Sequence, residues 1–292
     1  MLIALGSFKA SPGVTTAALA LAAMWPGEQR VVLVEVDPAG GDLAARFALE
    51  PAPGLVSLSA AARREHGVQV AFDHAQLLPG GLPVIAAPAT AEQAGGALEL
   101  LTGDGLPLWA NLADDPQVVV IADCGRLDPG SPAHRIVAAA DLALLVARPS
   151  LDECDRLAKG LDALAVRAEA TGTQLGLVLS GLGFGAAEVQ ESMRMRVWAH
   201  LPHDSEGAAA LSGTAARHGL GSAVPARAVR SVISLVLPGG ERGLAGFALP
   251  KAARELAAEI AAHHTLPDAV PELGSEQPGT ELQGLQISRS AA

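Results

Sequence analysis

Short, nearly continuous aliphatic runs separated by helix-length segments fill the first 202 residues, and that alternation leaves few folds open. The runs lie at residues 2–5, 31–36, 83–87, 118–122, 142–147, 175–179 and 197–201. They are apolar along their length rather than at every second position, as in strands covered on both faces. Between them, helix patterns are predicted at 15–24, 43–48, 55–64, 91–101, 133–139, 151–168 and 186–195. Strand and helix repeated with short turns specify right-handed βαβ crossovers. The expected fold is therefore α/β, a three-layer sandwich around a mostly parallel sheet of about seven strands. Further helices are predicted at 206–218, 226–235 and 250–263. Residues 1–264 read as one domain, and 265–292, rich in Pro, Gly, Ser, Gln and Glu without periodicity, as a disordered acidic tail.

Composition narrows the function classes. Half the residues are hydrophobic but only 3 % are aromatic, so the core is built of Ala, Leu and Val. A net charge of -11 argues against a surface uniformly made for nucleic acid. Residues 207–254 run against that trend, with six basic residues and one acidic, Glu241. No apolar run approaches the ~20 residues of a membrane span, so no membrane span is expected. Cys124 and Cys154 form no metal-ligand spacing, and they read as buried small hydrophobes in a cytoplasmic protein. His200 and His203 near Asp204 read as hydrogen-bonded surface groups rather than metal ligands.

The first strand runs directly into Gly6-Ser7-Phe8-Lys9-Ala10-Ser11-Pro12-Gly13-Val14-Thr15-Thr16 and an alanine-rich helix. Strand, small-residue loop and a helix opening on threonines is the layout of a phosphate cradle, in which amide N–H groups and the helix N-terminus face the anion. The pattern GxxxxGK[ST] is not met: Val14 stands at the lysine and Phe8 at the first glycine.

Five segments together resemble the ParA/MinD family of P-loop ATPases, a SIMIBI-like group with a deviant phosphate loop. Lys9-Ala10-Ser11-Pro12-Gly13-Val14-Thr15-Thr16 is similar in register to the family's KGGVGKTT. Glu35-Val36-Asp37-Pro38-Ala39-Gly40 resembles its D-x-D-P-x-G, and Val120-Ile121-Ala122-Asp123 its Walker B strand. Residues 140–150 resemble its later strand closing on proline, and Leu201-Pro202-His203-Asp204 its late turn. The resemblance covers residues 1 to about 220.

It implies ATP and Mg²⁺ as ligands. Lys9 would be the signature lysine that reaches a partner's phosphates in a nucleotide-sandwiched homodimer. Ser11, Gly13, Val14, Thr15 and Thr16 would line the phosphates, with Thr15 on Mg²⁺ and Asp123 holding the metal shell through water. Asp37 would orient the attacking water, and Ser180 and Pro202 would meet the base. Glu35 replaces the first aspartate of its motif, and a purely structural role at a helix N-terminus stays open for it. By the same resemblance, Arg217, Arg227, Arg230 and Arg242 would contact DNA non-specifically, the alternative being a solvated helical face. The predicted 250–263 helix lacks the bulky apolar and basic pattern of a membrane-surface helix.

The departures from the pattern predict weak chemistry. Losing the lysine removes a charge-assisted contact of about 1.5–3 kcal/mol, roughly 10- to 150-fold in affinity. Pro12 deletes one N–H of the cradle. The expected function is an ATP-binding protein that positions cellular cargo through an unidentified protein partner, with weak or absent hydrolysis. The alternative is a scaffold that keeps the fold and binds no nucleotide.

Overall fold

The computed structural model describes residues 1–9, 12–211 and 247–265. Ser11, the arginines at 217, 227, 230 and 242, the predicted 226–235 helix and all of the tail beyond residue 265 lie outside the described residues. The strands are β1 (Leu2–Ser7), β2 (Arg30–Glu35), β3 (Gln76–Leu77), β4 (Pro83–Ile85), β5 (Val118–Arg126), β6 (Leu142–Ala147), β7 (Gln174–Ser180) and β8 (Val197–Leu201). They form one eight-stranded sheet in the order β3-β4-β2-β5-β1-β6-β7-β8. Every pairing is parallel except β3 with β4.

The seven predicted strands are all present, and β3 is the addition. It is two residues long, with Gln76 opposite Val84 and Leu77 opposite Pro83, too short for a hydrophobic pattern to register.

Helices cover both faces. On one side lie α1 (Val14–Ala23), α2 (Leu43–Phe47), α10 (Ser205–Leu211) and α11 (Ala248–Thr265). On the other lie α3 (Leu55–Ala61), α4 (Val68–Asp73), α5 (Ala91–Thr102), α6 (Leu106–Asp114), α7 (Ala133–Ala138), α8 (Leu151–Thr171) and α9 (Ala186–Met193). Alternate strand residues divide between the two cores. Leu2, Val32, Val34 and Val120 meet α3–α9, whereas Ile3, Leu5, Leu33 and Ile121 meet α1 and α11. This is the reason for runs without alternation: both faces of each strand are buried.

Helix α1 is almost pure alanine and leucine because it is enclosed on two sides, by β5 and by α11. Small side chains let the three layers approach closely, and a helix apolar all round is a buried one. Two helices escape the sequence pattern. Helix α4 is a six-residue segment whose alternating valines imitate a strand, and α6 begins at the Gly105–Leu106 step with proline in its first turn. Helix α9 ends two residues short of the prediction because Arg194 turns into the left-handed region, φ 51°.

Beyond β8, the Asp204 carboxylate accepts from Gly207 N–H at 2.7 Å and from Leu249 N–H at 2.9 Å. It thereby ties the start of α10 to the start of α11. These amides hold the Asp204 carboxyl below its ordinary pKa.

Candidate functional site

The carboxyl ends of β1, β2 and β5 open into a cavity of about 650 Å³. That volume lies within the usual range for small-molecule sites, and the C-terminal strand ends are where open α/β sheets hold ligands. Gly13, Val14, Thr15 and Thr16 form one wall, Asp37, Pro38, Ala39, Asp42 and Arg46 another, and Gly125, Arg126 and Asp128 a third.

Each wall has a local cause. Gly13, just before α1, has φ 98°, a left-handed conformation that glycine adopts at little cost. Its carbonyl accepts from Ala17 N–H at 2.8 Å, which starts the helix. The Thr15 side chain faces Asp123, within β5, and lowers that carboxyl's pKa. Asp123 is almost fully buried, one ladder step across from both Leu5 and Glu35. Burial raises its pKa to about 6, against the lowering effects of Thr15 and of Gly125 N–H.

Asp37 follows β2. Its carboxylate accepts from Ala39 N–H at 2.8 Å and lies over Gly125, whose φ is 55°. A Cβ at Gly125 would stand 2.7 Å from Asp37 Cβ, so the aspartate occupies the space that the glycine leaves. Burial again raises the Asp37 pKa, with Asp42 and Asp128 adding to it.

Glu35 does not reach the cavity. It is 2 % exposed, and its Oε1 accepts from Asp42 N–H at 2.9 Å and Leu43 N–H at 3.0 Å. Its Oε2 accepts from Ala87 N–H at 3.0 Å, just beyond β4. The side chain thus fixes the start of α2 to the end of β4. A Cβ at Gly41 would lie 2.8 Å from the Glu35 carboxyl carbon, so Gly41 makes room for this carboxylate. Burial outweighs the three amide donors and raises the Glu35 pKa to about 7.

Val14 fills the position of the absent lysine. It is 6 % exposed and packs into the core between the sheet, α1 and α11 while closing the cavity floor. Ser180 and Pro202 meet Pro12, Gly13 and Thr16 around an adjoining cavity of about 200 Å³. Gly13 and Thr16 line both cavities, so the predicted phosphate and base contacts are contiguous.

Lys9 stands apart. Its ammonium is paired with Asp152 in the first turn of α8, and it faces a separate cavity between β5, α7 and α8. Cys124 is buried, and its thiol is pushed well above its ordinary pKa. Cys154 is half-buried against the same core. His200 hydrogen-bonds to the Gly181 carbonyl at 2.6 Å. Arg46 and Arg126, which line the main cavity, were not among the residues singled out by sequence. For Arg46 a signal existed, the i,i+4 spacing to Asp42 immediately after the acidic motif.

No protein-family model matches the chain, and no curated protein matches it by sequence. Solved structures do match its fold. The ParA family ATPase from Chlorobium tepidum TLS is 17 % identical, with a TM-score of 0.63 over 89 % of this chain and 98 % of that one. The architecture is the ParA/MinD fold. The septum site-determining protein MinD of Pyrococcus horikoshii OT3, solved with Mg-ADP, is 16 % identical, with a TM-score of 0.54 over 90 % of this chain and 97 % of that one. McdA of Cyanothece, solved with ATP, is 18 % identical, with a TM-score of 0.55 over 84 % and 96 %. The matches cover 84–90 % of this chain at identities that establish architecture alone. Among the described residues, no helix is long and apolar enough to cross a membrane.

Proposed function

We propose that the chain is a ParA/MinD-like positioning protein that binds Mg·ATP, dimerises around it and hydrolyses it slowly or not at all. One observation carries the reading: Thr15, at the start of α1, lines a cavity of about 650 Å³ and faces the buried Asp123 beneath it. A hydroxyl and a carboxylate at a helix N-terminus suit a hard divalent cation and the phosphates it accompanies. Thr15 would ligate Mg²⁺ directly and Asp123 through water. The metal would neutralise charge on the phosphates. The Gly13–Thr16 wall would hold the phosphates, and Ser180 with Pro202 the base. Asp37, aimed over Gly125, is placed to orient water.

Two solved structures of this fold hold Mg-ADP and ATP, which supports a nucleotide as the ligand. Phosphoryl transfer depends on positioning and charge, so a valine in the lysine position weakens turnover more than binding. Lys9 would exchange its Asp152 partner for a phosphate of the second subunit. That pair is solvent-exposed, so little is lost in breaking it.

Calorimetry with Mg·ATP, combined with sedimentation, tests the proposal. Wild type is expected to bind and to dimerise with ATP, and Lys9→Ala to bind yet stay monomeric. Dimerisation indifferent to ATP and to Lys9 would replace this reading with the scaffold, which the buried Val14 and the missing Pro12 N–H favour.

A further inference from the structure

We infer that Arg46 supplies the positive charge to the phosphates that Val14 cannot. This inference rests on the nucleotide-binding reading above and names the side chain that makes such binding work in this cavity.

The charge balance of the cavity motivates it. Its lining carries three carboxylates, Asp37, Asp42 and Asp128, with Asp123 directly beneath. Among the described residues, Arg46 and Arg126 are the cations on that lining. A polyphosphate entering a pocket of this sign needs a fixed cation inside it, since a metal ion alone must also satisfy the carboxylates. Val14, buried in the core, offers no donor.

Arg46 meets the requirement better than Arg126 on three counts. First, its charge reaches the buried Asp123, where it is the smallest of the influences that oppose the rise in pKa, and both it and Thr15 line the same cavity. Second, it is the less exposed, 28 % against 45 % for Arg126. Third, it is anchored. Its Nη2 donates to Asp42 at 2.8 Å, and the Asp42 amide is itself held by Glu35. A guanidinium has five N–H donors in a rigid fork, so the bond to Asp42 leaves donors to spare for phosphate oxygens. Arg126, by contrast, pairs through Nε with Asp128 and also lines the neighbouring cavity with Lys9.

The arrangement shifts the cation from the helix α1 wall to the α2 wall, across the phosphates from Thr15. It also links the cation to Glu35, which holds the beginning of α2. Arg46 is then a binding residue for the β- and γ-phosphates, and Asp42 and Glu35 are its positioning residues.

The test compares Mg·ATP with AMP by calorimetry on wild type, Arg46→Ala and Arg46→Lys, with thermal unfolding run on each to confirm folding. Arg46→Ala is expected to weaken ATP about 10- to 100-fold, as for a lost charge-assisted contact. AMP, which has no β- or γ-phosphate, should be unchanged, and Arg46→Lys should recover most of the ATP loss. ATP affinity unchanged in Arg46→Ala, or ATP and AMP weakened equally, would overturn the inference and leave nucleotide binding standing. Wild type that binds neither nucleotide would overturn the proposed function, and this inference with it.

Discussion

The two long walls of the cavity differ in what holds them in place. On the β2–β5 side the inner carboxylates have matched surroundings: Glu35, behind the cavity, has three amide donors, Asp37 has the space over Gly125, and the buried Asp123 faces Thr15. The glycines exist to admit those side chains. On the α1 wall the backbone turn survives at Gly13, but the cation is absent and Pro12 brings no N–H. The difference teaches that the packing of inner carboxylates and the placing of a cation are separable features of this cavity. One depends on buried, mutually supporting groups, and the other on a single side chain that another position can supply.

If packing holds the carboxylate side, its burial should dominate the pH response. Unfolded Glu35 releases its proton near 4.5 and folded Glu35 near 7. Between those values the native state holds the extra proton, so stability falls as pH rises. The span corresponds to on the order of 3 kcal/mol for Glu35, with Asp123 adding in the same direction. Urea unfolding between pH 4.5 and 7.5 should show the decline, and Glu35→Gln should flatten it. A wild-type profile that rises with pH would break the comparison.

Gly41→Ala should cost about 2 kcal/mol, because the new methyl meets the Glu35 carboxyl and that group cannot retreat from its three amides. Gly13→Ala sharpens the contrast. Its nearest obstacle is Ser180 Oγ at 3.8 Å, so space is available and only the φ of 98° is strained. About 1 kcal/mol is expected there, read by the same denaturation. Equal costs at the two glycines would mean that the walls are not built on different constraints.

The sequence carries most of the architecture because buried parallel strands cannot be disguised: 118–122 and 142–147 are apolar without a break. Helix α8 was visible from its stripe of Leu157, Leu161 and Leu164, though it continues to Thr171. What escaped depends on tertiary partners. Gln76–Leu77 is a strand by virtue of Pro83 and Val84 opposite, and α4 hides behind alternating valines.

The site was legible in part. Gly13, Thr15, Thr16 and Asp37, taken from two separate motifs, line one cavity, and Ser180 with Pro202 adjoin it. Glu35 read as either functional or structural, and only the fold displays the amides that it holds. Arg46 lies beyond any motif, and its place in the cavity follows from where α2 lands.

The Asp204 carboxylate clasps the chain at Gly207 and again at Leu249. The first turns of α10 and α11 are thereby held to one side chain beside Pro202 and Ser180. A single short carboxylate serves as the common peg for two helices, so one substitution there would release both helix starts at once.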